Sequence, residues 1–132
     1  MSIATAYWCV LVAAVLPYVW VLIAKRSGPN FNNRNPRAWL AKQDGNYRVQ
    51  RANAAHLNAF EAFAPFAAAV LMAQAAGVEP SQVALLALVF VGLRVLHGLF
   101  YLFDVPALRS LSWLGGFACM VWLMVLAAKA IA

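Results

Sequence analysis

Acid is scarce in this chain. Four Asp and Glu stand against ten Lys and Arg in 132 residues, for a net charge of +6. In a soluble protein that balance would suggest a polyanionic partner, yet only 11% of the residues are charged, well below the quarter or so usual in soluble domains. Cysteine is nearly missing as well. Cys9 and Cys119 lie far apart inside apolar segments, with no paired motif or metal-ligand spacing, which excludes a disulfide framework or zinc site and leaves them as packing thiols. The patterns HExxH and GxSxG and the phosphate-binding loop do not occur, which removes the enzyme classes built on them. There are no recurring alternating segments of about ten residues, as a membrane barrel would need, and no internal repeat or low-complexity tract.

Apolar residues, by contrast, make up 65% of the chain. Four segments, at roughly 3–24, 52–76, 82–103 and 107–131, reach the length of about 20 residues that crosses a bilayer as a helix, and together they use nearly all of the sequence. The expected fold is therefore all-α, an integral membrane four-helix bundle in one domain over 1–132. Its helices are expected at about 3–25, 46–76, 81–103 and 107–131, with a polar loop at about 26–45. The first segment lacks a basic start and is too long for a signal core, so it reads as a retained helix, kinked at Pro17. Ser81 is the expected N-cap of the third span, and Asp104 and Pro106 divide the third from the fourth. Within the loop a short helix near 36–43 would set Trp39 at the membrane interface.

The placement of the basic residues explains their excess. Seven of them (Lys25, Arg26, Arg34, Arg37, Lys42, Arg48 and Arg51) fall between the first apolar segment and the body of the second. The positive-inside rule puts that loop in the cytoplasm and both termini on the other side. With the charge accounted for by topology, no nucleic-acid partner is expected.

Several polar residues remain inside the spans. Projected at 100° per residue, Arg51, Asn58, Glu61 and Pro65 share one face of the second span, whereas His56 falls on the other side and reads as a packing residue. On the third span Arg94, His97, Tyr101 and Asp104 form a single stripe. An arginine or aspartate at the centre of a membrane helix costs about 2.5 to 3.5 kcal/mol even on lenient scales, so such groups turn inward and pair. Glu61 and Arg94 are the expected pair. The antiparallel course of the spans brings Arg51, Asn58, Glu61, Arg94, His97, Tyr101 and Arg109 to one half of the bundle. Polar side chains can simply hold helices together, at about 0.6 kcal/mol per hydrogen bond. The alternative is a wet pocket, and three arginines over one carboxylate would then call for an anionic ligand.

On these residues the chain resembles bacterial-type members of the MAPEG family, the membrane-associated proteins of eicosanoid and glutathione metabolism. Arg51, Asn58, Glu61 and Pro65 match its second-helix pattern of an arginine followed by N-x-x-E and a proline. Arg94, His97 and Tyr101 match the R-x-x-H-x-x-x-Y of its prostaglandin E synthase branch, and Arg109 with Ser110 matches the arginine and serine past the next turn. The resemblance implies a homotrimer that holds glutathione between neighbouring protomers on the cytoplasmic side, in a bacterial inner membrane. It implies Arg51, Asn58, Glu61, Arg94, His97 and Tyr101 as the glutathione-binding residues. Arg109 and Ser110 would then be the catalytic pair beside the thiol, acting on a lipophilic electrophile or hydroperoxide. Phe100, Phe103, Trp113 and Phe117 are candidates for that substrate's route, or simply lipid-facing packing. Ala54 stands where better-known enzymes of the family carry a further arginine, and the family includes a non-catalytic member. Two functions therefore stand side by side, a glutathione-dependent transferase or peroxidase and a non-catalytic membrane binding or scaffold protein.

Overall fold

The computed structural model describes residues 1–132 and is wholly helical outside its turns. Its elements are α1 (Ile3–Ser27), α2 (Pro36–Ala41), α3 (Tyr47–Ala75), α4 (Pro80–Leu102) and α5 (Pro106–Ile131). Four of them are long and apolar enough to cross a membrane, at 25, 29, 23 and 26 residues. At 1.5 Å per residue even the shortest exceeds the roughly 30 Å of a hydrocarbon core. The fold is an all-α membrane four-helix bundle. Large side chains such as Leu11, Val15, Leu71 and Leu114 are exposed on its outside, as expected where lipid tails replace water.

The ends of the helices follow local chemistry. Asn46 caps α3, its side-chain oxygen accepting from Val49 N at 3.3 Å, and its amide ties the loop back to the Ser27 carbonyl at 3.2 Å. The cap of α4 is Glu79, two residues before the expected Ser81. Its carboxylate accepts from Gln82 N at 3.0 Å and from the Ser81 hydroxyl, and Pro80 fills the first helical position, where no donor is needed. The Glu79 carboxyl is held below its ordinary range, first by the Ser81 hydroxyl and then by the backbone N–H groups of Ser81 and Gln82.

Two helices close in the same way. After α3, Gly77 takes φ +76° and Val78 N reaches the Ala73 carbonyl at 3.0 Å. After α4, Asp104 takes φ +57° and Val105 N reaches Phe100 O at 2.9 Å. Both are Schellman-type ends, in which glycine is the usual left-handed residue, so Asp104 occupies a position that the backbone alone would give to glycine.

Successive spans run antiparallel. The loop through α2 and the Asp104 turn share one end, and the Gly77 turn and both termini share the other. In the middle, α3 and α4 each touch all three of the other spans, while α1 and α5 both lie against that central pair. Alanine allows the close approach. Ala6, Ala52, Ala55, Ala69, Ala73, Ala84 and Ala87 are wholly buried, as small residues are at membrane helix contacts. The core is lopsided. A cluster of twelve buried residues around the stacked rings of Phe66 and Phe90, 3.9 Å apart, fills the half nearer the termini. A smaller cluster of four, Leu16, Trp20, Ala55 and Ala59, lies in the half nearer the α2 loop.

Two contacts hold α1 in place. Pro17 cannot donate to the carbonyl of Ala13, and its own carbonyl lies 2.8 Å from His56 Nδ1 on α3, a backbone tie consistent with the packing role expected of that histidine. Further along, the Trp20 ring lies flush against Gly98 of α4. Trp39 departs from expectation. It is buried, donates from Nε1 to the Pro29 carbonyl at 2.8 Å and meets Phe31 edge-on at 5.1 Å. It thus organises the loop from within, because an indole with an internal acceptor needs no membrane interface.

A Cβ at position 98 would lie 2.1 Å from Trp20 Cζ2, whereas Gly92 has nothing within 4 Å. Gly98→Ala should therefore destabilise the folded protein by about 1 to 3 kcal/mol through overpacking. Gly92→Ala should be neutral or stabilising by up to about 1 kcal/mol through helix propensity. Thermal unfolding in detergent micelles checks both, and equal melting temperatures for the two variants would contradict the close packing of α1 on α4.

Candidate functional site

Arg94 is the most constrained of the polar residues. It is 4% exposed and lies in the middle of a membrane-length helix, where a guanidinium must find acceptors. Its Nη2 donates to Asn58 Oδ1 at 2.6 Å, and Asn58 Nδ2 in turn donates to Glu61 Oε2 at 3.5 Å, one turn along α3. The expected direct pairing of Arg94 with Glu61 does not occur. An amide stands between them, passing the interaction from cation to carboxylate while Glu61 stays exposed. The Arg94 stem packs against Gly116 of α5, where an added Cβ would stand in ordinary contact, 3.5 Å from Arg94 Cδ.

One turn from Arg94, His97 is 3% exposed and its Nδ1 has no hydrogen-bond partner. Its ring meets Tyr101 edge-on at 5.5 Å. The Arg109 guanidinium lies over the other part of this array, 4.5 Å from the centre of the Tyr101 ring. An arginine on an aromatic face is stabilised while its N–H edge remains free to donate.

These side chains line two adjoining clefts. One, of about 210 Å³, is bounded by Asn58, Glu61, Pro65 and Arg94 together with Phe90, Trp113 and Phe117. The other, of about 200 Å³, is bounded by Asn58, His97, Tyr101, Arg109, Ser110 and Trp113. Asn58 and Trp113 belong to both, so the two form one groove between α3, α4 and α5. It runs from the half of the bundle where the buried cluster is small, at His97 and Tyr101, to the edge of the larger cluster at Phe90 and Met120. A larger hollow of about 420 Å³, bounded among others by Lys25, Arg37 and His56, lies between α1, α2 and α3 and contains none of the expected site residues.

Seven of the eight expected site residues line the groove. The eighth, Arg51, instead faces Asp104, with Nη1 3.7 Å from Oδ2, in the one ion pair of the structure. The charge count changes accordingly. Three guanidiniums, on Arg51, Arg94 and Arg109, stand against two carboxylates, on Glu61 and Asp104, so the surplus is one positive charge. Of the four candidate aromatics, Trp113 and Phe117 wall the groove as a stacked pair 5.2 Å apart, while Phe100 and Phe103 do not. Sequence reasoning missed Phe90 and Met120, which line the first cleft. Neither left a signal, being apolar residues inside apolar spans.

Loss of the Asn58 amide would leave Arg94 buried without its acceptor. Asn58→Ala should cost about 1 to 3 kcal/mol, the penalty for an unsatisfied buried partner. Asn53→Ala, on another face of α3, should stay within about 0.5 kcal/mol of the parent. Denaturation of the two variants side by side decides whether the amide carries that load.

Comparison with known proteins fits this arrangement. The family model of the MAPEG family matches residues 5–129. Microsomal glutathione S-transferase 1 of Homo sapiens is 36% identical over 84 residues, which cover 63% of this chain and 52% of that protein. The matched region is thus about half the length of this curated relative. No solved structure matches the chain.

Proposed function

The chain belongs to the MAPEG family, and from that premise we propose that it is a membrane glutathione-dependent transferase or peroxidase acting on lipophilic electrophiles or hydroperoxides. The observation that carries this reading is the groove itself, in which guanidiniums, a free imidazole nitrogen and a carboxylate converge beside an aromatic wall open to lipid. The human relative is named for glutathione S-transfer, and the donor set here suits that tripeptide. Glutathione carries two carboxylates and an ammonium, for which arginines and Glu61 are the matching partners.

In this reading Arg51, Asn58, Glu61, Arg94, His97 and Tyr101 bind and orient the tripeptide. The unpartnered His97 Nδ1 is a buried polar atom that a ligand group would satisfy. When bound, glutathione supplies a thiol with an ordinary pKa of about 8.5, mostly protonated at neutral pH. Arg109 places a positive charge beside the sulfur and so favours the nucleophilic thiolate, while the Ser110 hydroxyl donates a hydrogen bond to it. Trp113 and Phe117 hold a lipophilic partner that enters from the bilayer. In conjugation the sulfur forms a bond to an electrophilic carbon, and the leaving group departs with its electron pair.

We further propose a homotrimer, with each groove facing a neighbouring protomer and opening toward the cytoplasm of a bacterial inner membrane. The basic loop at the same end of the bundle supports that orientation. A non-catalytic membrane binding or scaffold role is the second reading. Ala54, in place of an arginine, favours it.

Arg109→Ala should leave the oligomer intact and lower turnover of a generic electrophile at pH 7 by about tenfold or more. At saturating glutathione, the pH profile of kcat/KM for the electrophile should move toward alkaline pH as the bound thiol returns to its ordinary pKa of about 8.5. The sign follows from charge, since a guanidinium stabilises the thiolate and lowers the thiol pKa, and its removal raises it. Glutathione binding without turnover in the parent protein would favour the second reading. Chemical cross-linking in membranes should stop at three times the 14.4 kDa chain mass, and a ladder ending at two would refute the trimer.

A further inference from the structure

Arg51 is the one expected binding residue that lines neither cleft of the groove. Asn58, two turns further along α3 and about 20° round it, lines both clefts, so Arg51 is at the groove's polar end and yet is occupied. Its partner is unusual. Asp104 has φ +57° at the closure of α4, where the matching closure of α3 has Gly77. An aspartate there has no backbone advantage over glycine, and what it adds is a carboxylate.

That carboxylate is 65% exposed and sits 3.7 Å from the guanidinium, a contact longer than a charge-assisted hydrogen bond. The Arg51 Nε is buried and has no acceptor, so most of the donor fork is unused. Exposed pairs of this kind are weak and readily exchanged. A ligand carboxylate able to meet two guanidinium nitrogens in parallel would hold Arg51 better than Asp104 does.

We propose that Asp104 is a positioning residue that occupies Arg51 in place of the ligand carboxylate, so that glutathione binds by exchanging its own carboxylate for that of Asp104. The inference rests on the proposed function, in which Arg51 takes one glutathione carboxylate. Asp104 keeps the arginine neutralised in the free protein and weakens the complex by the strength of the pair it gives up.

Calorimetric titration of glutathione into the full-length protein in nanodiscs tests this, with the parent, Asp104→Asn, Asp104→Gly, Arg51→Gln and the Arg51→Gln/Asp104→Asn double variant. Both Asp104 substitutions suit the left-handed turn, and Asp104→Gly relaxes it, so folding is preserved and is verified by the melting temperature. Each should bind glutathione about fivefold tighter than the parent, a change equivalent to about 1 kcal/mol and at the upper end of what an exposed pair contributes. In the Arg51→Gln background, Asp104→Asn should change nothing, because its effect passes through the arginine.

Unchanged or weaker binding in both Asp104 variants would overturn the inference, pointing to a purely structural carboxylate. An equal gain in the Arg51→Gln background would also overturn it, because that gain would come from net charge alone. In either case glutathione binding by the parent leaves the proposed function standing. No binding by any variant would overturn both.

Discussion

A guanidinium in the interior of an apolar bundle has very few ways to be tolerated, and most of the site follows from that constraint on Arg94. It is 4% exposed, so it must donate to something, and the nearest acceptor is an amide that is itself held by a carboxylate. Asn58 and Glu61 are thereby fixed on one face of α3, opposite the stripe of α4. The arginine stem packs on Gly116 of α5, and Arg109 and Ser110 on the same helix reach the adjoining cleft. The catalytic role proposed for Arg109 and Ser110 is thus linked to a requirement of solvation. The same side chain that must be satisfied for the bundle to exist lays out the groove in which a ligand would sit.

The lopsided core carries this through to the molecule as a whole. Phe66, Phe90 and the residues around them consolidate the half nearer the termini, while the other half has only the smaller cluster of Leu16, Trp20, Ala55 and Ala59. Polar residues fill the space thus left. Phe90 belongs to both regions, packing on Phe66 on one side and bounding the groove on the other. The floor of the site is therefore as rigid as the core. The mouth is different, formed by the exposed Trp113 and Phe117, which present an apolar surface to lipid next to a charged interior. A site with this polarity gradient accommodates a water-soluble partner from one direction and a membrane-dissolved one from the other.

Much of this was legible in the sequence, because a membrane leaves few choices. Runs of about 20 apolar residues have to be helices, and arginine, histidine and glutamate inside them have to face inward. The 100° projection was therefore enough to place Arg94, His97 and Tyr101 on one stripe and Asn58 and Glu61 on another. The misses share a cause. Which polar group meets which depends on side-chain reach and rotamer, and a helical wheel contains neither. Hence the amide between Arg94 and Glu61 and the turning of Arg51 to Asp104 were not visible. Trp39 was misplaced because an internal acceptor, the Pro29 carbonyl, outbids the membrane interface. Ser81 gave way to Glu79 because the proline after Glu79 fixes where the helix begins. Apolar walls such as Phe90 and Met120 left no trace among so many similar residues.

The contact between His56 and Pro17 has a consequence of its own. A proline interrupts the ladder of α1, and an interrupted helix can slide or swivel against its neighbour unless something pins its axial register. The imidazole does so as a donor, through Nδ1 to a carbonyl. A carbonyl oxygen can only accept, so Nδ1 carries the hydrogen of this bond. The pin therefore sits at the residue where the ladder of α1 is broken, so the swivel that Pro17 would permit is blocked at its pivot and α1 keeps its register against α3.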